Sequence, residues 1–146
     1  MSQQEDERYM RLALEEAQLA YELGEIPIGA VVVCDGRVIA RAHNEVERLS
    51  DPTAHAEVLA VTAATQYMGS KFLGDCRLYV TIEPCTMCAG ALHWARLGEV
   101  IYGASEEKFG YQRYAPEIFP RATKVRGGVL AEEARALMQS FFRARR

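Results

Sequence analysis

Cys76-Arg77-Leu78-Tyr79-Val80-Thr81-Ile82-Glu83-Pro84-Cys85-Thr86-Met87-Cys88 is the stretch on which the architecture of this chain turns. Its first seven residues are rich in β-branched and aromatic side chains and predict a strand. Glu83-Pro84 ends the strand at once, and Pro84, with its fixed φ, pre-sets entry to a helix from about Cys85 to Ala95. Cys85 and Cys88 are three apart at that helix start, so both side chains can turn to one side and coordinate a single ion. Exposed N–H groups and the positive end of the helix dipole favour thiolates there.

Upstream, Asp51-Pro52-Thr53 supplies helix-start residues, and His55, Val58, Leu59, Thr62 and Ala63 mark a helix running to about Tyr67. His55 and Glu57 fall in its first turns. Ile28 to Val33 and Arg37 to Ala42, separated by Asp35-Gly36, read as a two-stranded hairpin. Before it, Met10, Ala13, Leu14, Ala17, Ala20 and Tyr21 recur at helical spacing, predicting an amphipathic helix over residues 5 to 23 that Gly24 ends. Downstream come a strand at Glu99 to Gly103, a turn-rich segment from Ser105 to Pro120, a short strand at Lys124 to Arg126 and a helix from Ala131 to Arg143. This order predicts an α/β fold in three α/β/α layers, with helices covering both faces of a central mixed sheet of about five strands. No repeat or linker interrupts it, so residues 1 to 146 read as one domain.

The chain has 146 residues, 49% of them hydrophobic, which suits a sizeable core and argues against disorder. Its longest apolar run, Ile28 to Cys34, is far short of the roughly 20 residues that span a bilayer, and residues 1 to 8 are polar and acidic. The expectation is a cytoplasmic protein with no membrane association. Cys34, Cys76, Cys85 and Cys88 are not needed as disulfide staples in such a chain; two read as ligands and two as core residues. Net charge is -3, with 7 Lys and Arg against 14 Asp and Glu up to residue 95 and 10 against 6 beyond it. Arg143, Arg145 and Arg146, beside Phe141 and Phe142, offer phosphate contacts and stacking surfaces to a polyanion; the plainer reading is a solvated helix end.

Two thiolates and an imidazole make a borderline-soft donor set suited to Zn²⁺, and three protein ligands leave a fourth position open to water. His55, Cys85 and Cys88 are therefore the candidate metal ligands. Glu57, two residues beyond His55, is wrongly spaced for the same helical face but can approach an activated water from another side, which fits a proton carrier. A structural zinc would need a fourth protein ligand, yet His43 and His93 are isolated and Cys34 and Cys76 lie in strand-like runs. A redox Cys-x-x-Cys would leave His55 and Glu57 without work. A noncatalytic RNA-binding protein with a structural zinc is the other class that the basic tail admits.

His-x-Glu with Pro-Cys-x-x-Cys is the signature of the zinc base deaminases, and the chain resembles that superfamily over most of its length. Glu25-Ile26-Pro27-Ile28-Gly29-Ala30-Val31, Asn44, Asp51 to Glu57, Tyr79 to Glu83 and Pro84 to Gly90 resemble the bacterial tRNA adenosine deaminase (TadA) family. Gly103-Ala104, Gly127 to Leu130 and Phe141-Phe142-Arg143 carry the likeness nearly to the C-terminus. The resemblance implies a cytidine deaminase-like fold, a homodimer, and conversion of adenosine to inosine at the wobble position of a tRNA anticodon. It implies one Zn²⁺ per subunit on His55, Cys85 and Cys88, with Glu57 as proton shuttle. Asn44 and the Ala56 N–H would meet the base, Ile28 would wall the pocket, and Arg143, Arg145 and Arg146 would contact anticodon-loop phosphates.

Some residues depart from that pattern. Leu92-His93-Trp94-Ala95-Arg96 differs from the usual helix of the family, and Trp94-Ala95-Arg96 is similar to guanine deaminases, which makes guanine or another free purine the alternative substrate. Phe109, Tyr111 and Tyr114 enrich a segment where fewer aromatics are expected, and fit packing, pocket, RNA-loop or dimer roles. Trp94 reads as a core or dimer-surface residue. Asn44 has a plainer reading as a loop cap bonded to backbone.

Overall fold

Asp35 and Gly36 adopt φ of 56° and 73°, the left-handed pair that a tight two-residue hairpin requires. They join β1 (Gly29–Cys34) to β2 (Arg37–His43) in a computed structural model that describes residues 2–145. Around this hairpin the chain runs α1 (Gln3–Glu22), β1, β2, α2 (Val46–Leu49), α3 (Ala56–Met68), β3 (Cys76–Ile82), α4 (Thr86–Ala95), β4 (Glu99–Ala104), α5 (Tyr111–Tyr114), β5 (Lys124–Arg126) and α6 (Ala131–Arg143). The sheet order is β2-β1-β3-β4-β5. β1 is antiparallel to both neighbours, whereas β3, β4 and β5 run parallel, with α4 crossing from β3 to β4. The five-stranded mixed sheet expected from the sequence is borne out.

β1 is buried on both faces because alternate residues serve different layers. Ala30 and Val32 join the core beneath α3 and α4, with Ala60, Leu78, Val80, Leu92 and Val100. Val31 and Val33 face α1, among Tyr9, Met10, Ala13, Tyr79 and Ile101. Each such side chain removed from water contributes on the order of 2 kcal/mol. α1 lies directly on the β1 backbone: a Cβ on Gly29 would collide with the Ala13 carbonyl. α6 packs beside α1 and over β4, completing the three layers.

A polar cluster fastens α1 to the far strands. Arg126 of β5 donates to Asp6 through Nε and Nη2 at 2.7 and 2.8 Å, the Tyr79 hydroxyl donates to Asp6 at 2.8 Å, and Arg126 Nη1 reaches Glu99 at 2.9 Å. Burial alone would raise the Asp6 pKa, but the Arg126 and Tyr79 hydrogen bonds outweigh it and hold the carboxyl below its ordinary value.

Three local expectations change. The helix expected from Asp51 begins at Ala56, because the Asp51 carboxylate accepts from the Thr53 N–H and hydroxyl at 2.9 and 2.8 Å and closes a turn instead. The one-turn helices α2 and α5 are additional, the latter inside the segment read as turns. Trp94 is 73% exposed and so is a surface residue and no part of the core. Among the described residues no helix is long and apolar enough to cross a membrane.

Candidate active site

Two helix starts converge where β3 ends. His55 is the N-cap of α3 and Cys85 the N-cap of α4, and neither side chain caps its own helix. They turn toward each other instead: His55 Nδ1 lies 3.7 Å from Cys85 Sγ and 3.3 Å from Cys88 Sγ. Their potential ligand atoms all fall within 4.8 Å of one another. A tetrahedral ion at ordinary Zn–S and Zn–N bond lengths sets nitrogen and sulfur about 3.5 Å apart, so these spacings fit one metal ion. The three residues expected to act as ligands are thus brought together, two of them at the caps and not within the helices.

The thiols divide the charge unequally. Hydrogen bonding from Cys88 is the largest influence that lowers the Cys85 pKa, to about 4, with His55 assisting against the opposing effect of burial. Cys88 is raised, by its hydrogen bond to Cys85 and by burial. His55 is raised, first by its hydrogen bond with Cys85; hydrogen bonding with the Pro52 backbone also contributes. A backbone carbonyl partner is what orients a ligating imidazole. A divalent cation would displace the remaining thiol proton, since ligation needs both sulfurs as thiolates.

Glu57, at the second position of α3, is 4% exposed. Burial pushes its pKa up to about 7, and the Cys85 charge adds to that shift. A carboxyl held there exchanges protons near neutrality.

Asn44 follows β2 and is fixed from both sides of the chain. Its N–H donates to the Ile28 carbonyl at 3.2 Å, and the next N–H, of Glu45, donates to the Ala54 carbonyl at 3.0 Å. Its Oδ1 accepts from the Ala56 N–H at 2.8 Å, in a buried contact. The Ala56 N–H, read from the sequence as facing a base, is therefore engaged by Asn44 here.

An open cavity of about 1220 Å³ leads to the metal ligands. Ile28, Asn44, His55, Glu57 and Cys85 line its floor and walls; Phe109, Phe142 and Arg145 line it as well. Of the basic tail, Arg145 faces this cavity with its guanidinium 3.7 Å from the centre of the Phe141 ring. Arg143 lines a smaller neighbouring hollow, and Arg146 lies outside the described residues. Tyr111 is buried and stacks edge-on against Phe119 at 4.9 Å, so it packs. Tyr114 is exposed and is not among the residues lining the cavity.

Sequence reasoning missed two buried carboxylates that shape the walls. Glu25 accepts from the N–H groups of Glu47 and Arg48 at 3.0 and 2.8 Å, holding α2 beside the strand entry. Glu83 accepts from the N–H groups of Glu106 and Gln112, both at 3.1 Å, pinning the loop that carries Phe109. The available signal was an acidic residue bordering an apolar strand run at each place.

The model of the MafB19-like deaminase family matches residues 4–146. The chain is 43% identical to a tRNA-specific adenosine deaminase of Streptococcus pyogenes serotype M18, over 97% of this chain and 92% of the relative. A solved structure from a study of A-to-I editing by tRNA deaminases at the wobble position of transfer RNA is 41% identical, with a TM-score of 0.83 over 89% of this chain and 98% of that one. The guanine deaminase structure from Bacillus subtilis is also 41% identical, with a TM-score of 0.67 over 77% and 75% of the two chains. With its His/Cys/Cys cluster beside a buried glutamate, the chain belongs to the MafB19-like deaminase family, among the tRNA-specific adenosine deaminases of the zinc deaminase superfamily.

Proposed function

We propose that this chain hydrolyses adenosine to inosine at the wobble position of a tRNA anticodon, with one Zn²⁺ per subunit held by His55, Cys85 and Cys88. The observation that carries the substrate assignment is the cavity: at about 1220 Å³ it exceeds the roughly 300 to 1,000 Å³ of ordinary small-ligand pockets. Its walls extend from Glu57 out to Phe142 and Arg145, which suits a nucleotide within a strand better than a free base. An anticodon loop presents bases already unpaired, so the cost of extruding one is small.

Bound Zn²⁺ supplies a water with its pKa lowered to about 7, and so a nucleophile at neutral pH. Glu57 takes a proton from the attacking water and passes it to the ring nitrogen beside the attacked carbon. It then takes the remaining proton from the hydroxyl now on the attacked carbon and delivers it to the departing amine as the carbonyl forms, so that water and adenosine become inosine and ammonia. Asn44 and Ile28 hold the base against the buried carboxylate, with Ala56 acting through its bond to Asn44. Arg145, on the cavity wall, contacts an anticodon-loop phosphate, and Arg143 and Arg146 add positive charge to the same end of the chain. The whole of residues 1 to 146 serves as one deaminase domain, and a tRNA substrate supports a cytoplasmic location.

The exposed aromatic and apolar side chains of Met87, Trp94 and Tyr114 support a homodimer, with the outer side of α4 as its contact surface. A second reading, deamination of free guanine, is favoured by the 41% identity to the Bacillus subtilis guanine deaminase structure. Zinc-loaded protein offered full-length tRNA, an anticodon stem-loop, adenosine, guanine and cytosine separates the two. Inosine in both RNAs with stoichiometric ammonia is the expected result; turnover of guanine alone with both RNAs unmodified overturns the proposal.

A further inference from the structure

Cys34 and Cys76 face each other across β1 and β3 as a directly opposed antiparallel pair. Cys76 directs its N–H to the Leu73 carbonyl and its own carbonyl to the Gly98 N–H, so neither backbone group bonds to Cys34. That makes the pair a non-hydrogen-bonded one, the closer of the two antiparallel spacings, with Cα atoms about 4.5 Å apart. Disulfides require Cα atoms about 4.4 to 6.8 Å apart and side chains on one face. The second condition is met too, since Cys34 packs against the same core cluster that contains Cys76. Both thiols are free.

We propose that Cys34 and Cys76 form a thiol–disulfide exchange site that takes a small disulfide oxidant of the glutathione class and closes into a cross-strand disulfide. The two thiols differ in access. Cys34, at the strand end, is half-buried and touches the Asp75 carbonyl at 3.6 Å; Cys76 is sealed in the core. Cys34 therefore attacks first: its thiolate forms a bond to one sulfur of the oxidant and expels the other as a thiolate. Cys76 then attacks the Cys34 sulfur, forming the internal bond and releasing the second small thiol. Two protein thiols are oxidised, one small disulfide is reduced to two thiols, and the two protons leave with them. The second step is the slow one, because burial, with the Cys34 contact adding to it, pushes the Cys76 thiol up to about 12 and keeps its thiolate scarce. The closed bond would clasp the ends of residues 34–76, the segment that contains Asn44, His55 and Glu57.

The test is incubation of the zinc-loaded full-length protein with glutathione disulfide, followed by intact mass and peptide mapping without reduction. A transient single glutathione adduct on Cys34, converting to a Cys34–Cys76 link, is expected. The thermal midpoint should rise by roughly 10 °C and fall back on reduction. C76S should stop at the Cys34 adduct, and C34S should gain neither adduct nor link. Wild type that keeps both thiols free, or that halts at the adduct as C76S does, overturns the proposal.

Discussion

Asp6 and Glu57 are both carboxylates less than a tenth exposed, and the molecule treats them in opposite ways. Asp6 is met by a guanidinium and a phenol, and its pKa is held low. Glu57 sits among Cys85, Cys88 and His55, and burial raises it to about 7. The first arrangement makes the charge permanent and uses it to fasten α1 to β3 and β5. The second leaves the proton free to come and go. Matched burial with opposite pKa shifts separates a carboxylate that holds the scaffold from one suited to chemistry.

The largest expected effect lies at the second of these. C85A should abolish zinc retention, measured by metal analysis, and turnover with it. E57Q should keep zinc but lose on the order of 10²- to 10⁴-fold in kcat, while its thermal midpoint stays level or rises because a poorly solvated charge is gone. A fall in stability with unchanged kcat would erase the contrast. D6N should show the reverse: kcat within a few-fold of wild type and a loss of about 2 kcal/mol in a denaturant titration, because Arg126 loses one of its two charged partners and keeps only Glu99.

The contrast sharpens with pH. The Asp6 pKa is lower in the folded chain than the roughly 3.9 of an unfolded one, so its stabilisation is complete above that value and drains away as pH falls through the folded pKa. The stability gap between wild type and D6N should therefore be full at pH 7 and close as pH falls through the lowered Asp6 pKa; a gap independent of pH would mean that the charge is not what matters. Glu57 works as a carboxylate, so kcat/KM should fall on the acid side of neutrality and the Glu57 limb should vanish from the residual activity of E57Q. The smallest effect belongs to Glu83. E83Q loosens the loop bearing Phe109 and should raise KM for tRNA about three- to tenfold with less change in kcat, read by steady-state kinetics.

The same pairing explains what was legible in the sequence. Asp35-Gly36 announces its turn because the constraint is local, and the short apolar, largely β-branched run of β1 announces a buried strand. His55, Glu57, Cys85 and Cys88 are legible because metal ligation restricts residue type and spacing. Arg126 and Asp6 are 120 positions apart, and nothing in either neighbourhood points to the other. Glu25 and Glu83 were hidden for a different reason: their partners are backbone N–H groups, which leave no mark in the residue letters. Asp51 misled because the same side chain that starts helices also closes short turns.

The bond from the Ala56 N–H to Asn44 fixes which end of the Asn44 amide points where. A backbone N–H can only donate, so the oxygen is committed and the amino end is what remains for the cavity. A ligand edge carrying a lone pair at that spot gains a hydrogen bond, whereas an edge carrying its own hydrogen meets donor with donor. One main-chain contact thus imposes a polarity on whatever enters, before any side chain moves.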